Sequence, residues 1–265
     1  MKYTLSPRLA FGIVIASLFS AFFAGAIILG IGLSNPDSPQ QFYTFISFII
    51  GQGFMLVPLL WFLKSKKEPI VERLRLKPIK INLVTATVYL SMGIIIISDE
   101  LDRVIQAFLP APDYILDLNG LLRPDTFIGF ILLFIAVSII APLGEELIFR
   151  GFFQQVLEKH WKDVTRAVLV TALFFAMIHM NPYWFLQIYI LGVILGFLAW
   201  KTKSVIPSLI LHSMNNTMAM FFSFVDIEKN GFYIFHGHVA PWIILLALYS
   251  LVSGFQGISQ SRNQH

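Results

Sequence analysis

There is no cysteine in this chain. Disulfides, thiol nucleophiles and cysteine metal sites are therefore excluded. Charge is scarce as well. Asp, Glu, Lys and Arg make up 13% of the 265 residues, about half of the ~25% found in an average soluble domain. The sequence has no HExxH helix, no internal repeat at a fixed period, no low-complexity tract and no inverted pair of Gly/Pro-broken spans of the transporter type. What fills the chain is apolar: 57% hydrophobic residues and a mean hydropathy of +0.75. That composition belongs to a polytopic, all-α membrane protein, with residues 1–265 forming a single integral membrane domain and no sizeable soluble domain beside it.

Eight apolar stretches reach or approach the ~17-residue minimum for a membrane helix: 9–33, 42–63, 82–98, 126–149, 164–181, 183–200, 204–225 and 240–258. The first is far longer than the ~7–15-residue core of a signal peptide, so it reads as a retained span. Loop charge alternates. Lys2 and Arg8 precede the first span, and residues 64–80 carry seven Lys/Arg against two Glu. Lys159, Lys162 and Arg166 follow the fourth span, Lys201 and Lys203 the sixth, and Arg262 lies in the tail. The intervening loops hold acids: Asp37 in one, and Asp99, Glu100, Asp102, Asp113, Asp117 and Asp125 in another. The positive-inside rule then places both termini in the cytoplasm. The net charge of +4 is a topology signal rather than a nucleic-acid footprint. Leu101, Val104, Ile105, Phe108 and Leu109 share one helical face, which predicts a short helix in the outer interface or packed over loops.

Within the apolar stretches a few polar residues need an explanation. Glu145 and Glu146 are adjacent in IAPLGEELIFRGFF, with Arg150 close behind. A charge in hydrocarbon costs at least ~2.5–3.5 kcal/mol, so it must be paired, hydrated or functional. Glu146 and Arg150 are four residues apart in the favourable acid-before-base order and are expected to pair. Glu145 points about 100° away, toward a cavity. Pro142 predicts a kink just before the pair. His179 closes the fifth span, and His212 and Asn216 lie four apart in the seventh. Each alone is compatible with interhelical hydrogen bonding.

With the turn of a helical hairpin near Trp161–Asp163, Glu145 and His179 are about equally far from it, roughly 24–26 Å at 1.5 Å per residue. The fourth helix must then run on through FFQQVLEKH. His236 and His238 have metal-like spacing in an outer loop but no nearby carboxylate constellation, and with His160 and His265 they are expected to be solvated.

A buried carboxylate and a neutral histidine can deprotonate a water, while a second histidine and an amide supply donors for an oxyanion. These are the parts of an amide hydrolase without a covalent nucleophile. Ser213 and Thr217 have no evident base, which argues against serine catalysis. Glu145, His179 and His212 would alternatively make a His₂Glu set for a divalent metal such as zinc. No cofactor is required on the favoured reading.

Three motifs resemble those of the CAAX prenyl endopeptidase and bacteriocin-processing (CPBP, or Abi) intramembrane proteases: Glu145-Glu146 with Arg150 (EExxxR), Phe175 with His179 (FxxxH), and His212 with Asn216 (HxxxN). The resemblance covers about residues 126–222, the expected catalytic core. It implies that Glu145 activates water with His179, that His212 and Asn216 stabilise the oxyanion, and that Glu146, Arg150 and Phe175 support the site. It also implies an endopeptidase of a multi-pass cell membrane, with the bilayer and a peptide or protein substrate as partners and no nucleic acid. Short loops fit a prokaryotic membrane. Members of the family are described both as metalloproteases and as glutamate proteases, and some relatives are scaffolds or self-immunity proteins. A non-catalytic scaffold is therefore the first alternative, and a proton-coupled transporter using Glu145 and the histidines is the second.

Overall fold

The computed structural model describes residues 5–35, 37–112, 123–225 and 231–260. Lys2, Asp113, Asp117, Arg262 and His265 lie outside the described residues. Nine helices make up almost all of the rest: α1 (Pro7–Leu33), α2 (Gln40–Ser65), α3 (Ile70–Arg73), α4 (Ile81–Phe108), α5 (Phe127–Trp161), α6 (Val164–Ile178), α7 (Phe185–Thr202), α8 (Ile206–Phe224) and α9 (Pro241–Gln260). Six of them (α1, α2, α4, α5, α7 and α9) are long and apolar enough to cross a membrane. The chain is a polytopic all-α membrane protein. The other two expected spans are helical too. But α6 has only 15 residues, and His212, Ser213, Asn215, Asn216 and Thr217 make α8 markedly more polar.

Two compact units divide the chain. The first comprises residues 1–77 and 117–171, the second residues 78–116 and 172–265, so the boundary falls inside α6. In the first unit α1 packs along α2, and α2 in turn lies against α5. Close approach is possible because small residues line the crossing: a Cβ on Gly51 would stand 2.9 Å from the Ala21 carbonyl oxygen. On α2, Phe45, Leu59 and Leu63 are fully buried.

In the second unit α4 is sandwiched between α9 and α8. Leu83, Leu90, Ile94, Leu195, Leu198, Leu211 and Ile258 form its buried centre. Facing outward, in contrast, Phe19, Phe23, Trp61, Leu245 and Tyr249 are more than half exposed. An apolar exterior over a modest interior is what a hydrocarbon solvent selects.

Two sequence expectations change here. The stretch Leu101–Leu109 is no separate helix, because α4 runs unbroken from Ile81 to Phe108. Nothing in SDELDRV breaks a helix, and the polar end of α4 is tied down on its own side of the fold. Asp99 receives the Tyr233 hydroxyl (3.0 Å) and the Arg103 Nε (3.3 Å). Glu100 takes the Val239 amide and the His238 Nδ1, both at 2.7 Å. Burial first, and then the Asp99 carboxylate, push the Tyr233 hydroxyl well above its ordinary pKa, so it stays a donor.

The second change concerns His238, which has a carboxylate partner after all. His236 (φ 52°) and Gly237 (φ 83°) form the two-residue turn of a small hairpin, β1 (Ile234–Phe235) with β2 (His238–Val239). Positive φ at both positions is the primed turn that matches strand twist. It presents His238 to Glu100.

Candidate active site

α5 is the element that carries the acid pair, and its backbone is irregular there. Two π-helical stretches, Ile135–Ile140 and Leu147–Phe153, flank an α-helical turn, Ala141–Glu146. The Ala141 amide bonds the Ala136 carbonyl and the Gln154 amide the Phe149 carbonyl, both five residues back. Pro142 cannot donate to the fourth residue before it, and a widened register next to it accommodates that loss. Beside the proline expected to kink the helix, the backbone thus carries two π stretches.

Glu145 is 9% exposed, and Glu146 and Arg150 are wholly buried. Glu146 Oε1 accepts from Arg150 Nη1 at 2.7 Å. The i,i+4 spacing therefore delivers the ion pair expected of it. Next to the pair, Gly144 faces α2, where a Cβ would make an ordinary 3.4 Å contact with the Gln52 carbonyl oxygen. As the hairpin geometry required, α5 continues through Phe152–His160 and ends at Trp161, with the turn at Lys162 (φ 55°).

Several residues that sequence reasoning passed over surround this region in the first unit. Arg75, 4% exposed, donates through Nη1 to the Arg150 carbonyl oxygen (3.3 Å) and pairs with Glu158. Gln154 Nε2 donates to the other oxygen of Glu158 (2.8 Å), and Gln155 Nε2 to the Glu72 carbonyl (3.0 Å). In the sequence Arg75 was one of seven basic residues in a loop, with nothing to single it out.

Phe175, His179, His212 and Asn216 all belong to the second unit. Phe175 is 1% exposed and stands edge-on to both imidazoles, with centroids 4.8 Å from His179 and 5.6 Å from His212. One aromatic ring thus contacts two histidines, one just past the end of α6 and one in α8. His179 lies one residue beyond the end of α6, rather than inside a span, and is exposed. Its Nδ1 is 2.6 Å from the Phe175 carbonyl oxygen, a carbonyl of the helix's last turn that needs a donor. That contact places the proton on Nδ1 and leaves Nε2 as the basic nitrogen. His212 is 3% exposed. Asn216 follows it on the same face of α8 and is half-buried.

A metal would need at least three donors in one place, and among the described residues no group of three or more His, Asp or Glu side chains is arranged to hold one.

Comparison with known proteins points the same way as the motifs. Residues 127–218 match the Rce1-like family, described as type II CAAX prenyl endopeptidase Rce1-like. The matched stretch runs from the first turn of α5 into α8 and contains every motif residue from Glu145 to Asn216. The chain is also 29% identical over 120 residues to UPF0177 protein YbdI of Lactococcus lactis, an overlap of 44% of this chain and 64% of that protein. The chain thus spans somewhat under two thirds of that relative's length. No solved structure matches. The segment that carries all three motifs is thus similar to the Rce1-like family, described as type II CAAX prenyl endopeptidases.

Proposed function

We propose that this protein is an intramembrane endopeptidase. The observation that carries the reading is that one endopeptidase family match spans all three motifs, from Glu145 through His179 to His212 and Asn216. On this reading Glu145 and His179 share the water. The Glu145 carboxylate takes a water proton while the neutral Nε2 of His179 orients the water, and the oxygen adds to the scissile carbonyl carbon. His212 and Asn216 donate to the resulting oxyanion. Collapse breaks the C–N bond, and the proton held by Glu145 passes to the leaving amine. Glu146 and Arg150 neutralise each other beside the base, and Phe175 contacts the two imidazoles.

The polypeptide would be multi-pass in a prokaryotic cytoplasmic membrane with both termini in the cytoplasm. The substrate would be a membrane-associated or C-terminal peptide.

The test compares the membrane peptidome of cells making the wild-type protein with that of cells making Glu145→Gln. A peptide pair joined only in the mutant and cleaved only in the wild type is the expected result. Identical peptidomes at equal protein levels would sink the hydrolytic reading in favour of a scaffold. Repeating the cleavage with purified protein and a chelator separates a carboxylate-activated water, which is insensitive, from a metal-bound one.

A further inference from the structure

We propose that Arg75 is a positioning residue for the acid pair: from the segment between α3 and α4 it holds the π-register stretch of α5 that carries Arg150. The proposal rests on the endopeptidase reading for its catalytic consequence, but not for its structural one.

The argument begins with burial. Residues 64–77 are the most basic part of the chain, and Lys64, Lys66, Lys67 and Lys77 are exposed, as loop cations should be. Arg75 instead is turned inward at 4% exposure, on a backbone with φ 52° that a non-glycine residue rarely adopts. Such a conformation persists only where surrounding contacts over-determine it.

Those contacts converge on one turn of α5. In a regular α-helix the Gln154 amide would donate to the Arg150 carbonyl. Here it donates one residue further back, to Phe149. The Arg150 carbonyl thereby loses its α-helical donor, and Arg75 Nη1 takes that place at 3.3 Å. The other arm of the guanidinium pairs with Glu158, which is itself fixed by Gln154 Nε2 at 2.8 Å. Alongside, the backbone of the loop lies directly on the helix: a Cβ on Gly151 would be 2.7 Å from the Leu74 carbonyl oxygen. Gln155 adds a bond to the Glu72 carbonyl at 3.0 Å.

The chain of contact therefore runs from Glu158 through Arg75 to the Arg150 backbone, and from the Arg150 side chain to Glu146. Glu145 is the next residue. Lysine cannot reproduce this, because a single ammonium lacks the planar fork that serves two acceptors in fixed directions.

The experiment uses the full chain purified in detergent as wild type, Arg75→Gln, Arg75→Lys, Arg75→Gly and Gly151→Ala. Hydrogen exchange is followed by mass spectrometry over residues 147–158, together with steady-state cleavage of a quenched fluorogenic peptide containing an S-farnesyl cysteine near its C-terminus. Rates are normalised to folded protein. Arg75→Gln is expected to speed exchange in 147–155 by about 10-fold while α2 peptides stay unchanged. It should lower kcat by about 10- to 100-fold, with KM within about twofold. Arg75→Lys should fall between Arg75→Gln and wild type. Arg75→Gly, which eases the left-handed backbone but removes the guanidinium, should match Arg75→Gln.

Unchanged exchange in Arg75→Gln overturns the proposal, as does a lysine variant no better than glutamine. A loss that appears only as raised KM overturns it too. Failure of the endopeptidase reading looks different. Cleavage would then be absent, or independent of Glu145, in the wild type, while exchange at 147–155 would still decide whether Arg75 holds the stretch.

Discussion

At the scale of single residues, Glu146 and Arg150 show how an ion pair can survive in an apolar helix. Both are wholly buried, and their 2.7 Å contact offsets desolvation that neither charge could bear alone. Arg150→Met leaves Glu146 without its counter-charge and should destabilise the fold by about 3–5 kcal/mol. The combined Glu146→Leu/Arg150→Met variant, with no buried charge left at these positions, should recover most of that loss. Thermal unfolding in a fixed detergent measures both, and a double variant no more stable than the single one would contradict the pairing argument. This pair was legible in the sequence because helix phase decides it: i,i+4 is a contact wherever the chain is helical. Arg75 was not legible, because its role depends on a long-range meeting with Glu158, 83 residues away, and on a π register that no local pattern announces. His179 lies between these cases. Its motif was evident, but its position just beyond the end of α6 depends on where the helix stops, and the left-handed Met180 that follows is not signalled by glycine.

Helices meet through their small residues, and the sharpest case is where α4 crosses α9. A Cβ on Gly254 would lie 2.3 Å from the Leu90 amide nitrogen, and one on Gly93 would lie 2.6 Å from the Ala247 carbonyl oxygen. Backbone rather than a flexible side chain is the obstacle, so the helices must part. Gly254→Ala is expected to cost about 1–3 kcal/mol. Gly12→Ala on α1, where a Cβ meets nothing within 4 Å, should be neutral or stabilise by up to about 1 kcal/mol from helix propensity. Comparing the two melting shifts tests the claim, and equal shifts would refute it. Element positions were readable from hydropathy almost throughout, since every apolar stretch became a helix. Element interiors were less so. The extension of α4 past Ser98 was hidden because its polar residues, Asp99 to Arg103, look like a loop until Tyr233 and the Val239 amide are brought to them. Likewise the hairpin at Ile234–Val239 rests on His236 in a left-handed turn, a weaker signal than Asn-Gly would give.

For the whole molecule the issue is how many helices cross. α6 is about 22 Å long at 1.5 Å per residue, short of the ~30 Å hydrocarbon core, and α8 is diluted by the polar residues from His212 to Thr217. Each would be a poor span in isolation. Yet the polar residues of α8 are those proposed to meet substrate, and an interior-facing polar stripe lowers mean hydropathy without preventing a crossing when other helices cover it. Loop charge supplies the independent evidence: Lys162 and Arg166 around the start of α6, and Lys201 and Lys203 before α8, alternate with loops that hold at most one Lys or Arg each, none in 34–39 and 179–184, Arg123 before α5 and Lys229 before α9. If all eight cross, labelling must alternate. The native chain has no cysteine, so single cysteines can be introduced without background. In intact cells a membrane-impermeant thiol reagent should label Ser34→Cys, Met180→Cys and Phe232→Cys, and should leave Ser65→Cys, Lys162→Cys and Lys203→Cys unlabelled until the membrane is broken. Met180→Cys and Lys203→Cys are the deciding positions. If only the six long helices cross, residue 180 stays on the cytoplasmic side and is protected while residue 203 emerges outside and is labelled, and the eight-helix topology falls while the six long helices stand.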